Sequence, residues 1–265
     1  MGDPIRPLLK HPGGKRRLAP KIFEALGRPA ELCEPFAGGL AVSLTTGARP
    51  RIVAEAIQPL REMHEALSGD SRRFWAEVDT LTDIDDEVDY CDRREAFRAD
   101  PTPAGYVEMV YGCFNGLARF NQSGEFNAAV GRPLPRKMPR FSVEDREAYA
   151  RAFDGCEVFA DWRPAVERAR VLGVLVYADP PYVGTFAYAS TRWTLDNLRE
   201  LAEALPVGSA ISERPELRID VELRRLGYER VITTSDHDYI SRGKRRKRRE
   251  GVWVRRPATR QIVLI

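Results

Sequence analysis

The 265-residue sequence predicts an α/β fold: a mostly parallel sheet covered by helices on both faces and interrupted by an inserted, mainly helical lobe. Short β-rich runs alternate with amphipathic stretches at both ends of the chain, the pattern of parallel strands joined by helical crossovers. Between residues 58 and 155 that alternation stops, over a length no ordinary crossover connection needs. Hydrophobic residues make up 43% and charged residues 31%, a balance that builds a core and excludes a disordered chain.

Taken in order, a helix is expected over 15–26, then strands over 30–34 (AELCE) and 51–55 (RIVAE), the second after a Gly-Ala-Arg-Pro turn. The inserted stretch is helical in pattern and becomes loop-like around ARFNQSGEFNAAVGRPLPRKMPRF. Strands resume at 156–160 (CEVFA), 174–178 (VLVYA), 209–212 and 230–233, with helices over 161–170, 195–205 and 216–226. A last strand, QIVLI (261–265), follows the basic run through a loop and is expected to pair antiparallel as a hairpin. The domains are thus 1–57 with 156–265, and 58–155 inserted between them.

No apolar run reaches the roughly 20 residues that span a bilayer, and the N-terminus lacks a signal core, so a cytoplasmic protein without membrane contact is expected. Cys33, Cys91, Cys113 and Cys156 form no CxxC pair and read as reduced thiols rather than zinc ligands. His11, His64 and His237 show no ligand spacing, and no metal is expected. Net charge is only +3, but residues 242–249 (RGKRRKRR) hold seven basic residues in eight, either a solvated run or a polyanion contact.

Two motifs carry chemistry. CEPFAGGLAV (33–42) follows a strand, where glycines let a ligand approach the backbone at the carboxyl edge of an open sheet; a tight strand-to-helix turn explains it equally. Asp179-Pro180-Pro181-Tyr182 also follows a strand. Two prolines remove two N–H donors and stiffen the turn, leaving an acidic acceptor, carbonyls and an aromatic face suited to a flat, amine-bearing ring. Adenine N6 is a poor nucleophile because its lone pair is delocalised. Acceptance of both N6 hydrogens, by Asp179 and the Pro180 carbonyl, would move it toward tetrahedral geometry, with Tyr182 stacked on the base.

These residues resemble the Dam-type family of DNA adenine methyltransferases (D12 class, alpha group), nearly end to end. LLKHPGGKRR is similar to the family's opening motif, Lys-Trp-Ala-Gly-Gly-Lys, with His11 and Pro12 in place of Trp-Ala. The resemblance implies a class I methyltransferase (Rossmann-like) fold with a seven-stranded sheet and S-adenosylmethionine as cofactor. It places Lys10, Gly14, Lys15, Glu34, Pro35, Phe36, Ala37, Gly38 and Gly39 at the cofactor, with Glu55 at the ribose hydroxyls, where the family more often has Asp. Asp161-Trp162, 18 residues before Asp179, falls at the cofactor adenine, and Asp161 also reads as a helix N-cap. Asp179 would serve both cofactor and base.

Arg119, Phe120, Asn121, Gln122 and Ser123, with Asn127 and Arg132, resemble the target-recognition hairpin, framed by Gly124-Glu125-Phe126-Asn127. Members that read GATC often carry a basic side chain where this sequence has Ser123. Serine cannot reproduce the Arg fork on guanine, worth about 1–3 kcal/mol, so a GATC target is not expected on this ground. The basic run resembles a phosphate-contacting loop, which implies roles for Lys244 and Arg245; Tyr239 and Trp253 read as packing residues. Double-stranded DNA is the implied partner, acted on at a short site by a monomer after the adenine flips out of the duplex. A dimer and a restriction endonuclease partner stay open, as does a nucleoid-associated location. Methylation of RNA, cytosine N4 or protein glutamine, and a catalytically inactive DNA-binding relic, are the alternatives. Asp179 argues against the amine and amide variants, which tend to have Ser or Asn there, and intact DPPY and EPFAGG argue against the relic.

Overall fold

The computed structural model describes residues 2–9, 14–121, 123–185, 192–234, 237–241 and 244–257, with only the backbone described for 237–241 and 244–248. Lys10, His11, Pro12, Gln122 and the run QIVLI therefore lie outside the described residues.

Parallel strands β1 (Glu31–Glu34), β2 (Arg49–Ala54) and β3 (Glu157–Phe159) form a sheet in the order β1-β2-β3. Pro50 is tolerated near the start of β2 because pairing with β3 begins only at Ile52, so the missing N–H breaks no bond on that side. A second sheet has the order β4-β5-β9-β6, from β4 (Tyr177–Ala178), β5 (Ala210–Glu213), β6 (Tyr228–Thr233) and β9 (Gly251–Arg255). β4 and β5 are parallel, while β9 runs antiparallel between β5 and β6. A parallel bridge from Cys33 to Val176, with Cys33 N–H donating to Leu175 O at 2.9 Å, joins the two sheets edge to edge.

An antiparallel strand is formed by Gly251–Arg255, while the expected one, QIVLI, falls outside the described residues. Within the basic run, expected as a loop, Lys244–Arg248 form β8, and β8 pairs antiparallel with β7 (His237–Ser241). Charged residues have weak strand propensity, so composition hid a strand that backbone pairing makes.

Alternate residues feed opposite faces, as a period of two requires. Cys33, Ala178, Ile211 and Trp253 pack with α8 (Trp162–Leu172), α9 (Leu195–Ala204) and α10 (Leu217–Arg225). Leu32, Tyr177, Ala210, Val252 and Val254 pack on the opposite side with α1 (Ala19–Ala25) and the first residues of α2 (Ala41–Thr46). α1 starts four residues later than the amphipathic pattern suggests. Lys15 to Leu18 form a turn, and Pro20 sits in the first helical turn, where its lost donor is unneeded. Trp253 is fully buried with its Nε1 donating to Asp220 at 3.0 Å, a packing residue as expected.

Between β2 and β3 lie α3 (Gln58–Ser68), α4 (Arg72–Thr80), α5 (Glu87–Ala99), α6 (Pro103–Gly112) and α7 (Val143–Phe153). Their apolar faces close on Tyr106, Val107, Met109 and Val110 of α6, and this cluster runs on without a break into Leu8, Leu40, Leu44 and Val53. The inserted helices therefore share a core with the first strands. The four cysteines are free, three of them buried. Among the described residues no helix is long and apolar enough to cross a membrane.

Candidate active site

A cleft of about 920 Å³ opens along the carboxyl ends of β1, β2 and β4, the edge at which open α/β sheets take ligands. It is lined by Gly14 and Lys15, by Glu34 through Gly39, by Glu55, by Asp161 and Trp162, and by Asp179 through Tyr182. The bridge between Cys33 and Val176 sets the strand ends carrying the EPFAGG and DPPY motifs side by side.

The EPFAGG turn is held by backbone bonds to buried acids. Gly38, in the left-handed region at φ +47°, donates to Glu55 Oε2 at 3.0 Å, and its carbonyl meets His64 Nε2 at 3.0 Å. Glu55 Oε1 accepts from Ile57 N at 2.9 Å, so both oxygens of this buried carboxylate are engaged by backbone donors. Burial pushes the Glu55 carboxyl upward against these bonds. Glu34, also buried, accepts from Ser43 N at 2.9 Å, and burial raises it to about 7. Phe36 stacks on Trp162 with centroids 6.3 Å apart and meets Trp193 edge-on at 5.6 Å. Asp161 caps α8 through Oδ1, which accepts from Arg163 N at 2.8 Å, while half its side-chain surface stays open.

At the end of β4, Lys15 Nζ reaches both Asp179 oxygens at 2.8 Å. Lys15 is 5% exposed, so the pair is screened little by water. Its ammonium also lies 5.4 Å from the centroid of Tyr182, and the Arg214 guanidinium lies 5.8 Å from the same ring. The turn beyond Tyr182 is pinned by Val183 N donating to Glu213 Oε2 at 2.8 Å, and Arg214 N donates to the other oxygen at 2.7 Å. Glu213 is buried and raised to about 7 by that burial. Gly184 and Thr185 close the turn against Trp193, with bonds of 2.9 and 3.0 Å.

Several of these groups escape sequence reading. Glu213 and Arg214 end a strand with no motif, Trp193 precedes an ordinary capping box at Thr194 and Asn197, and Glu250 follows the basic run. Their importance comes from partners 30 or more positions away along the chain.

Residues 11–210 match the family described as D12 class N6 adenine-specific DNA methyltransferase. The chain belongs to that family. It is 29% identical over 215 residues to the retron Ec67 DNA adenine methylase of Escherichia coli, covering 77% of this chain and 73% of that protein. It is 29% identical over 241 residues to the DNA adenine methylase of Serratia marcescens, covering 84% and 87%. Identity to the DNA adenine methylase of Escherichia coli K12 is 30% over 215 residues, 75% of this chain and 74% of that one.

In this adenine methyltransferase the hairpin residues stand apart from the cleft lining. Phe120 bridges Phe126, and the rings meet edge-on at 5.6 Å with Phe126 buried beneath. Asn121 Oδ1 accepts from Ser123 N at 3.0 Å and Glu125 N at 2.9 Å, and its Nδ2 donates to Glu125 at 2.7 Å. Arg119 Nε donates to Asn127 Oδ1 at 3.1 Å, and Arg132 pairs with Glu87 at 2.7 Å. Asn121 thus frames the turn, while Ser123 stays exposed at its tip. Lys244 and Arg245 lie on β8.

Proposed function

We propose that the chain transfers a methyl group from S-adenosylmethionine to adenine N6 at a short site in double-stranded DNA, as a monomer, with the target base flipped into the cleft. The observation that carries this reading is the juxtaposition of two strand ends, one with a loop clamped by buried acids and the other with a rigid, proline-stiffened acceptor. The two bridged sheets support a reading as one seven-stranded class I methyltransferase sheet, with 58–155 as the inserted recognition domain.

The cleft fits the cofactor by its donor set. Buried carboxylates suit a cation and a ribose diol, and the Phe36 and Trp162 rings suit a purine. The Trp193 Nε1, buried with no hydrogen-bond partner among the described residues, is a donor that a ligand could satisfy. Gly14, Lys15, Glu34, Pro35, Phe36, Ala37, Gly38 and Gly39 would hold the methionine and ribose, Glu55 the ribose hydroxyls, and Asp161 with Trp162 the adenine. When bound, S-adenosylmethionine supplies an electrophilic methyl on a sulfonium, a good leaving group.

The chain's own work is positioning. Lys15 fixes the Asp179 carboxylate in one orientation, and each oxygen keeps a lone pair for an N6 hydrogen. Pro180 O would accept the second hydrogen, Pro181 stiffens the turn, and Tyr182 would stack on the base. Flipping costs a few kcal/mol, offset by this stacking and hydrogen bonding. Arg119, Phe120, Asn121, Gln122, Ser123, Asn127 and Arg132 would face the DNA from the hairpin, and Lys244 and Arg245 its phosphates.

Expression in a host lacking adenine methylation, followed by single-molecule sequencing of its genome, tests the reading. N6-methyladenine confined to one short motif is the expected outcome. An unmodified genome despite soluble protein that binds S-adenosylmethionine would overturn it.

A further inference from the structure

We infer that Glu250 is a positioning residue for methyl transfer, linking the neck of the basic hairpin to the catalytic tyrosine and lysine; the inference rests on the function proposed above. Glu250 is buried at the point where the chain leaves β8 and enters β9. Its carboxylate accepts from the Tyr182 hydroxyl and lies 3.8 Å from Lys15 Nζ, the same ammonium that grips Asp179 at 2.8 Å. A buried carboxylate is tolerated when paired and hydrogen-bonded, and Glu250 gains both from the catalytic side of the cleft.

Its backbone is bound as tightly as its side chain. Thr234 N donates to Glu250 O at 2.9 Å, and Glu250 N donates to Thr234 Oγ1 at 3.0 Å, closing the neck between β6 and β9, the strands that flank β7 and β8 in the chain. The following residue, Gly251, is paired in register with both Glu213 and Thr233. A Cβ there would come within 2.5 Å of the Trp253 ring, so the chain path beside Glu250 has little freedom. Glu213 in turn pins the turn after Tyr182 through Val183 N. Two acids, one ending β5 and one just before its neighbour β9, therefore hold Tyr182 from both sides, one at its hydroxyl and one at the backbone beyond it. A packing role alone would need neither the carboxylate nor the tyrosine hydroxyl. Glu250 thereby ties the base of the basic hairpin to Tyr182 and Lys15.

The test uses full-length protein, tritiated S-adenosylmethionine and unmethylated genomic DNA, with Glu250→Ala, Glu250→Gln, Tyr182→Phe and the double variant Glu250→Ala/Tyr182→Phe. Glu250→Ala should lower the single-turnover rate on the order of tenfold or more, the size of one missing hydrogen bond to a charged group. Dissociation constants for S-adenosylmethionine and DNA should stay within about twofold. Glu250→Gln, which keeps an acceptor for the tyrosine, should recover most of the rate. In the Tyr182→Phe background the effect of Glu250→Ala should shrink, because the shared hydrogen bond is already gone. Equal losses in both backgrounds, a loss carried by weaker S-adenosylmethionine binding, or a fully active Glu250→Ala would overturn the inference alone. Wild-type protein that transfers no tritium to DNA would overturn the proposed function and the inference with it.

Discussion

Glu34 lines the cleft at the start of the EPFAGG turn. Burial raises its carboxyl to about 7, against the hydrogen bonding from Ser43 that favours the ionised form. The free protein therefore holds Glu34 largely protonated below that pH and ionised above it. A cationic ligand beside it favours the ionised form, so S-adenosylmethionine should bind more tightly as pH rises through about 7. Each unit by which the ligand lowers that pKa corresponds to about tenfold in affinity. Calorimetric titration of the wild type and Glu34→Gln across this range checks it: the wild type should show the slope and the variant a flat profile. At this scale the sequence is legible where chemistry is local. EPFAGG and DPPY declare themselves because glycine, proline and acid must stand in fixed order within a few positions. Glu213, Trp193 and Glu250 do not, because an acid at a strand end or an aromatic before a helix is ordinary until the fold brings it to the cleft or to the residues that line it.

The hairpin from Arg119 to Asn127 is held by Asn121, whose amide makes three bonds across the turn. Asn121→Ala should therefore loosen this element by about 1 kcal/mol for each bond removed, weakening DNA binding while leaving S-adenosylmethionine affinity unchanged. Fluorescence anisotropy with duplex DNA, alongside cofactor titration, separates the two. Most strands and crossover helices are legible to within a few residues, because apolar alternation and caps such as Asp161 and Thr194 are written locally. β9 is not. GVWVR stands directly behind seven basic residues, and a second β-branched run, QIVLI, offers itself as the closing strand. The charge of KRRKR likewise masks β8, whose pairing with β7 comes from backbone hydrogen bonds that composition does not report.

Over the whole molecule, the bridge between Cys33 and Val176 joins the two sheets, and that junction sets the EPFAGG and DPPY turns side by side in the cleft. The inserted helices share their core with β2 and the N-terminal segment, through Leu8 and Val53 and through Tyr111 donating to Leu8 O at 2.9 Å. Alternation stopping after β2 reveals the insertion, but no pattern in the chain could show that its core is continuous with the sheet. On the proposed function, the electrostatic part of DNA binding should follow the basic run. Replacing Lys244 and Arg245 with alanine should reduce the slope of log affinity against log salt by about 0.9 for each phosphate no longer neutralised, with sequence preference unchanged. Binding titrations over a range of salt measure that slope directly. The most direct test of the account as a whole is methyl transfer by Asp179→Ala, measured with tritiated S-adenosylmethionine on unmethylated DNA. The account predicts loss of transfer on the order of a hundredfold or more; transfer at the wild-type rate would contradict it.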